Sequence, residues 1–332
     1  MSEAGDYSPG VWSGHNFDSA RASYRTYAKS SYSKAIDRGV AAKDLVPKSL
    51  STKSANPVVI VVDETGSMGE WPATMFSKLP YLEHEAKTEY MGKDVEISWA
   101  AIGDVPNGET YPLQVRQFTS GTDLAEKMKE LIIEGKGGGT TQESYELAAL
   151  YYARNVKMPN AIRPLLIFIG DESPYDFVDP DEAKSIACVN LAQKLSRAKV
   201  FEELKRCFSV YFVQKPYSNE HLADGPLTGT TRRVHEDWVA LVGEDHVALL
   251  GDPGRVVDVI FGIMAREAGK IPYFQKEIEE RQNPNQVKNV YTALRTVHAL
   301  PRGKDSRLRL GSGRSVLTRR FKRENSNEKD SV

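Results

Sequence analysis

The sequence predicts an α/β fold: a doubly wound, mostly parallel central sheet of about six strands with helices on both faces. Two short runs of branched and large apolar residues, Val58-Val59-Ile60-Val61-Val62 and Leu165-Leu166-Ile167-Phe168-Ile169, read as strands covered on both sides. Amphipathic helical stretches separate such runs, and turns rich in Asp, Thr and Gly follow them directly. Strand, helix, strand in repetition is the pattern of a parallel sheet wound in both directions.

In chain order, residues 58–62 form the first central strand. A helical stretch over about 72–91 places Phe76, Leu79, Leu82, Ala86 and Tyr90 on one stripe, and Pro80 is expected to bend or split it. Residues 95–102 and 113–118 are the second and third strands. Thr122-Asp123 then supplies a cap and an N-terminal acid for a helix to about residue 133. Gly135-Lys136-Gly137-Gly138-Gly139 is a flexible turn into a helix over about 142–155. After the strand at 165–169, Asp179-Pro180 opens a long helix toward residue 205. Strands at 208–213 and 247–250 complete the sheet, a covering helix spans about 253–269, and short helices are expected over 271–299. The chain divides into an aromatic-rich N-terminal extension (1–56), the α/β domain (57–270), a helical extension (271–300) and a basic, flexible tail (301–332).

The 332 residues are 40% hydrophobic and 27% charged with a formal net charge of -1, enough apolar content for a sizeable core and against wholesale disorder. The longest apolar runs are about five residues where a membrane-spanning helix needs roughly 18–20, so no span is expected. The N-terminus has neither the basic start nor the apolar stretch of a secretory signal. Cys188 and Cys207 have no paired spacing, which argues against a disulfide framework or thiolate metal site and for a reducing, cytoplasmic compartment.

The neutral total conceals a gradient. Residues 301–332 hold ten Lys/Arg against four Asp/Glu, residues 1–56 eight against five, and residues 57–300 26 against 36. An acidic body therefore carries two basic ends. Tyr7, Trp12, Phe17, Tyr24, Tyr27 and Tyr32 are too many aromatics for a free N-terminal arm, which is expected to dock on its own domain or on another chain.

Candidate chemistry lies at strand ends, because open α/β sheets bind ligands outside the carboxyl ends of their strands. The first strand runs into Asp63-Glu64-Thr65-Gly66-Ser67-Met68-Gly69, where a carboxylate and two hydroxyls at alternate positions can be aimed at one point by one turn. Gly137-Gly138-Gly139-Thr140-Thr141 adds hydroxyls, and the later strand ends in Gly170-Asp171-Glu172. Carboxylates and hydroxyls without thiolate or histidine suit a hard cation, Mg²⁺ or Mn²⁺ and less well Ca²⁺.

These elements resemble the metal-ion-dependent adhesion site (MIDAS) of the von Willebrand factor type A (vWA) domain, an Asp-x-Ser-x-Ser turn with a distant Thr and a distant Asp. Asp63, Thr65 and Ser67 match the turn, with Thr65 in place of the commoner Ser. Thr140 matches the distant Thr, with Thr141 beside it as an alternative, and Asp171 matches the distant Asp. The resemblance covers about residues 57–270. It implies a Rossmann-like vWA fold and a metal-dependent protein-interaction module of the stand-alone intracellular type. In such a module the ion binds an Asp or Glu of a protein partner, within a larger assembly that can include an AAA-type ATPase.

Two other readings compete. Asp63-Glu64-Thr65-Gly66-Ser67 also looks like the Asp-Lys-Thr-Gly-Thr turn of P-type pumps and their haloacid-dehalogenase relatives, which would make Asp63 a phosphorylated nucleophile in a Mg²⁺-dependent hydrolase. Soluble relatives carry a second Asp where Thr65 stands, and the pumps need membrane helices. The basic tail is a candidate for nucleic-acid binding, though Phe321 is the one aromatic between Arg302 and Arg323. No histidine, cysteine nucleophile or lysine is forced near the strand ends, so catalysis is not expected. Glu64, Asp104, Glu172 and Asp176 read as solvated loop charge. His15, His84, His221, His235, His246 and His298 have no ligand spacing, and the polar segment 214–234 reads as a rim loop.

Overall fold

The branched run Val58–Asp63 (β1) has every residue from Val58 to Val62 fully buried, which a strand achieves only at the centre of a covered sheet. Its two faces separate cleanly in the computed structural model, which describes residues 15–135, 140–217 and 227–298. Val58, Ile60 and Val62 enter one apolar layer and Val59 and Val61 the other, the two-residue period of a strand made visible in packing.

Among the described residues, β1 pairs in parallel with Ile97–Ile102 (β2) on one side and Leu165–Gly170 (β4) on the other. β4 pairs with Ser209–Gln214 (β5), and β5 with Val247–Leu249 (β6), both parallel. Leu113–Val115 (β3) returns antiparallel along β2 and closes the far edge. The order is thus β6-β5-β4-β1-β2-β3, mostly parallel with one antiparallel edge strand. The chain winds outward from β1 through β2 and β3, then crosses back to β4 and winds the other way. The carboxyl ends of β1 and β4 therefore lie side by side with their connections leaving in opposite directions, which opens a crevice between them.

One face is covered by Phe17–Asp37 (α1), Trp71–Ser77 (α2), Leu79–Glu85 (α3), Asp123–Lys129 (α4) and Val256–Ala268 (α9). Tyr145–Arg154 (α5), Pro180–Ser185 (α6), Arg197–Lys205 (α7) and Gly229–Val242 (α8) cover the other. Ile271–Arg281 (α10) and Pro284–Ala293 (α11) pack against α9, where Gly262 leaves room for the Leu294 side chain.

The stretch ahead of Pro80 does split: α2 ends at Ser77 and α3 restarts with Pro80 in its first turn, where a missing N–H costs nothing. The expected long helix over 179–205 is not formed. Cys188 takes a left-handed φ of 55°, Asn155 binds the Ala187 carbonyl at 2.8 Å, and Leu195–Ser196 pairs antiparallel with Phe177–Val178 before α7 begins. The helix expected from residue 142 starts at Tyr145, because Gln142–Glu143 instead pairs in parallel with Ser173–Pro174. Thr122 precedes α4 without a side-chain capping bond.

The N-terminal aromatics that are described dock on this chain's own α/β body. Tyr24 stacks on Phe76 with centroids 5.0 Å apart, and the Tyr27 hydroxyl donates to the Leu131 carbonyl at 2.7 Å. Tyr7, Trp12, the glycines 137–139, His221 and the basic tail lie outside the described residues. Among the described residues no helix is long and apolar enough to cross a membrane.

Candidate metal centre

Asp63 is the last residue of β1, and the next step of the chain turns back on its carboxylate. Asp63 Oδ1 accepts from the Thr65 amide at 2.8 Å and from the Thr65 hydroxyl at 2.6 Å, an Asx turn locked by a second bond. A single 3₁₀ turn, Gly66–Met68, then carries Ser67 over the crevice, and Gly69 leaves it at a φ of 52°, where a Cβ would be strained. The Ser67 hydroxyl donates to Asp171 Oδ1 at 2.8 Å, directly beyond the end of β4. Thr65 Oγ1 and Ser67 Oγ stand 3.0 Å apart. That is hydrogen-bond distance, with either hydroxyl able to donate, so the two oxygens link the carboxylates of Asp63 and Asp171. Two hard oxygen donors held this way, flanked by two carboxylates, form a donor set suited to a hard divalent cation.

Asp63 and Asp171 are fully buried and Thr65 is 5% exposed, whereas Ser67 is open to solvent, so the site meets solvent at Ser67. The remaining oxygen of each carboxylate is also engaged. The Tyr145 hydroxyl donates to Asp63 Oδ2 at 2.9 Å, and the Lys215 ammonium to Asp171 Oδ2 at 2.6 Å. Tyr145 is held from behind by edge-on contacts with Phe168, Phe212 and Trp238, Trp238 itself stacking on Phe212 at 3.9 Å. Gly170 makes this possible, since a Cβ there would fall 1.7 Å from the Tyr145 hydroxyl oxygen and 3.2 Å from Asp63 Cβ. Gly170→Ala is expected to force Tyr145 off Asp63 and to cost about 1–3 kcal/mol of unfolding free energy, read by urea denaturation.

Of the predicted ligands, the structure brings Asp63, Thr65, Ser67 and Asp171 into one hydrogen-bonded chain. It does not join Thr140 to them. Thr140 Oγ1 lies 3.2 Å from the Tyr175 hydroxyl, which donates to Asp104 Oδ1 at 2.8 Å. The Thr141 hydroxyl accepts from Arg233, an unfavourable neighbour for a cation ligand. The spacing forces no lysine near the strand ends, yet the fold brings Lys215 to one of them. It follows β5 directly, and its amide is pinned to the Gly170 carbonyl at 2.8 Å. The sequence signal was its place, the first residue beyond a buried strand neighbouring β4.

Three acids read as solvated are instead buried: Glu64 (7% exposed), Glu172 (4%) and fully enclosed Asp104; Asp176 is exposed. Glu143, which sequence reasoning missed, is 1% exposed. Crowding of these acids opposes their ionisation. Burial, then the charge of Asp171, pushes Asp63 up to about 7 despite the bonds from Thr65 and Tyr145. Burial followed by the charges of Asp171 and Asp63 raises Glu172 to about 8. Burial followed by Asp63, Glu172, Asp104 and Glu109 raises Glu143 to about 12. Glu64 is held well above its ordinary value by burial and by Asp63. Glu64 Oε2, Glu143 Oε2 and Glu172 Oε2 find no hydrogen-bond partner among the described residues. Nor, among the described residues, do three of His, Cys, Asp and Glu converge as a chelating group, so any ion here would rest on two carboxylates and neutral oxygens.

No family model matches the chain, and no curated protein matches it. Among solved structures, the pilus adhesin SpaC from Lactobacillus rhamnosus GG in its open conformation is similar over 71% of this chain and 31% of its own, at 9% identity and a TM-score of 0.44. A second structure of that adhesin gives 10% identity and the same TM-score over 71% and 32%. Proximal thread matrix protein 1 from the mussel byssus is similar over 66% of this chain and 49% of its own, at 9% identity and a TM-score of 0.40. The chain spans a third to a half of the length of these structures. At such scores the likeness carries neither fold nor function.

Proposed function

We propose that the crevice between β1 and β4 is a MIDAS-type divalent-cation site, in a doubly wound, Rossmann-like domain of the vWA kind, through which the protein docks an acidic residue of a protein partner. The observation that carries the reading is the hydrogen-bonded chain Asp63, Thr65, Ser67, Asp171 at the point where strand order reverses. These four residues would hold Mg²⁺ or Mn²⁺. When bound, such an ion offers an exchangeable position that favours an incoming carboxylate, since two of its protein ligands are neutral.

The chain's own residues make that docking conditional. Asp63 and Asp171 supply the charge, Thr65 and Ser67 the neutral oxygens, and Tyr145 fixes the orientation of Asp63. Without the cation nothing at this point attracts a partner carboxylate, and the negative charge of the ligand carboxylates opposes it. Nucleophilic catalysis by Asp63 is poorly served, because both of its oxygens already accept hydrogen bonds and the side chain is fully enclosed.

In native lysate, the tagged full chain is expected to retain partners in Mg²⁺ and release them in EDTA, and the Asp63→Ala/Asp171→Ala double variant to retain none in either buffer. Recovery of the same partners by the double variant would show that the crevice is not the docking surface.

A further inference from the structure

Lys215 has a role that the docking reading leaves open. Its ammonium, on a side chain 15% exposed, donates to fully buried Asp171 at 2.6 Å and lies 3.3 Å from the Pro216 carbonyl. The backbone bond to Gly170 anchors its stem to the strand that presents Asp171. The arrangement has an electrostatic consequence. Asp63 and Asp171 together match the charge of a divalent ion, but with Lys215 engaged one of those two charges is already neutralised, and the oxygen it occupies belongs to a proposed ligand.

We propose that Lys215 is a built-in competitor for the cation, an affinity-setting residue that must yield Asp171 before a divalent ion is held at full strength. This rests on the docking reading and extends it, since the site then loads only above a threshold of free cation that Lys215 fixes. A residue that served only to hold the fold would leave cation affinity untouched, or would support it.

The test is Mn²⁺ binding to the full chain, followed by the electron-paramagnetic-resonance signal of free Mn²⁺ at fixed pH and ionic strength, in wild type, Lys215→Met, Lys215→Arg and Asp171→Asn. Lys215→Met keeps the length of the stem and is expected to bind at least about tenfold more tightly than wild type, because a unit charge in contact with a ligand oxygen is removed. Lys215→Arg keeps the charge and should stay near wild type, and Asp171→Asn should lose binding. Equal or weaker binding by folded Lys215→Met, with wild type binding, overturns the competition while leaving the cation site standing. Absence of binding in both overturns the site and the competition together. A second readout needs no variant: amine acylation of wild type, mapped by mass spectrometry, should rise at Lys215 when Mn²⁺ is added. Unchanged labelling under saturating Mn²⁺ contradicts displacement of the ammonium.

Discussion

Asp171→Ala is expected to lower the unfolding free energy of the metal-free protein by about 3 kcal/mol, because it strands the largely buried Lys215 ammonium without its counter-charge. A domain of this size has about 5–15 kcal/mol of stability, so the variant should remain folded and its loss of cation binding can be read directly. Urea denaturation in EDTA measures the effect. The Asp171→Ala/Lys215→Met double variant should recover most of the loss, since neither buried charge then remains, and the double-mutant cycle isolates the pair from its surroundings. No recovery would mean that the variant fails for lost packing rather than for an uncompensated charge.

In EDTA, wild type is expected to lose stability relative to Asp63→Asn as pH rises from about 4 to 7, by up to about 4 kcal/mol. The sign follows from proton counting. Asp63 is raised from its ordinary 3.8 to about 7 in the fold. Between those values the native state keeps a proton that the unfolded chain has released, and stability falls until pH passes the folded value. The amide of the Asp63→Asn variant cannot titrate and removes this component, so the difference between the two proteins isolates it from the opposing contributions of surface ion pairs. Glu172, raised to about 8, should extend the decline above pH 7 in both proteins. Mg²⁺ at about a hundred times its dissociation constant should restore about 2.7 kcal/mol to wild type at pH 7 and nothing to the variant. Thermal denaturation at pH 5, 6, 7 and 8, with and without Mg²⁺, reads both effects.

The parts of this site visible in the sequence are those that local chemistry specifies. Val58 to Val62 and Leu165 to Ile169 can be little other than buried strands, so the positions of Asp63 and Asp171 at strand ends follow from them. Asp63, Thr65 and Ser67 announce their shared turn by spacing alone. Tyr145 and Lys215 could not be read that way. Tyr145 looks like any aromatic on a helix's apolar face, and only the packing of α5 on the sheet, with no side chain at Gly170, brings its hydroxyl to Asp63. Lys215 meets Asp171 because β5 lies beside β4, a pairing set by tertiary order. Glu172 reads as loop charge because solvation is the default for an acid in a turn, and Glu143 falls within the helix expected over 142–155; both are buried where Gln142–Glu143 instead pairs in parallel with Ser173–Pro174. The helix over 179–205 failed for a related reason: its periodicity continues through Ile186 and Leu195, but side chains and strand edges from elsewhere claim the backbone groups between them.

Titration calorimetry of the full chain with Mg²⁺ at pH 7, alongside Asp63→Ala, bears most directly on whether this crevice is a cation site. Saturable one-to-one binding by wild type that is absent in the folded variant is the expected result. Binding that survives in Asp63→Ala, or no binding in wild type at millimolar Mg²⁺ and in Lys215→Met alike, would contradict it.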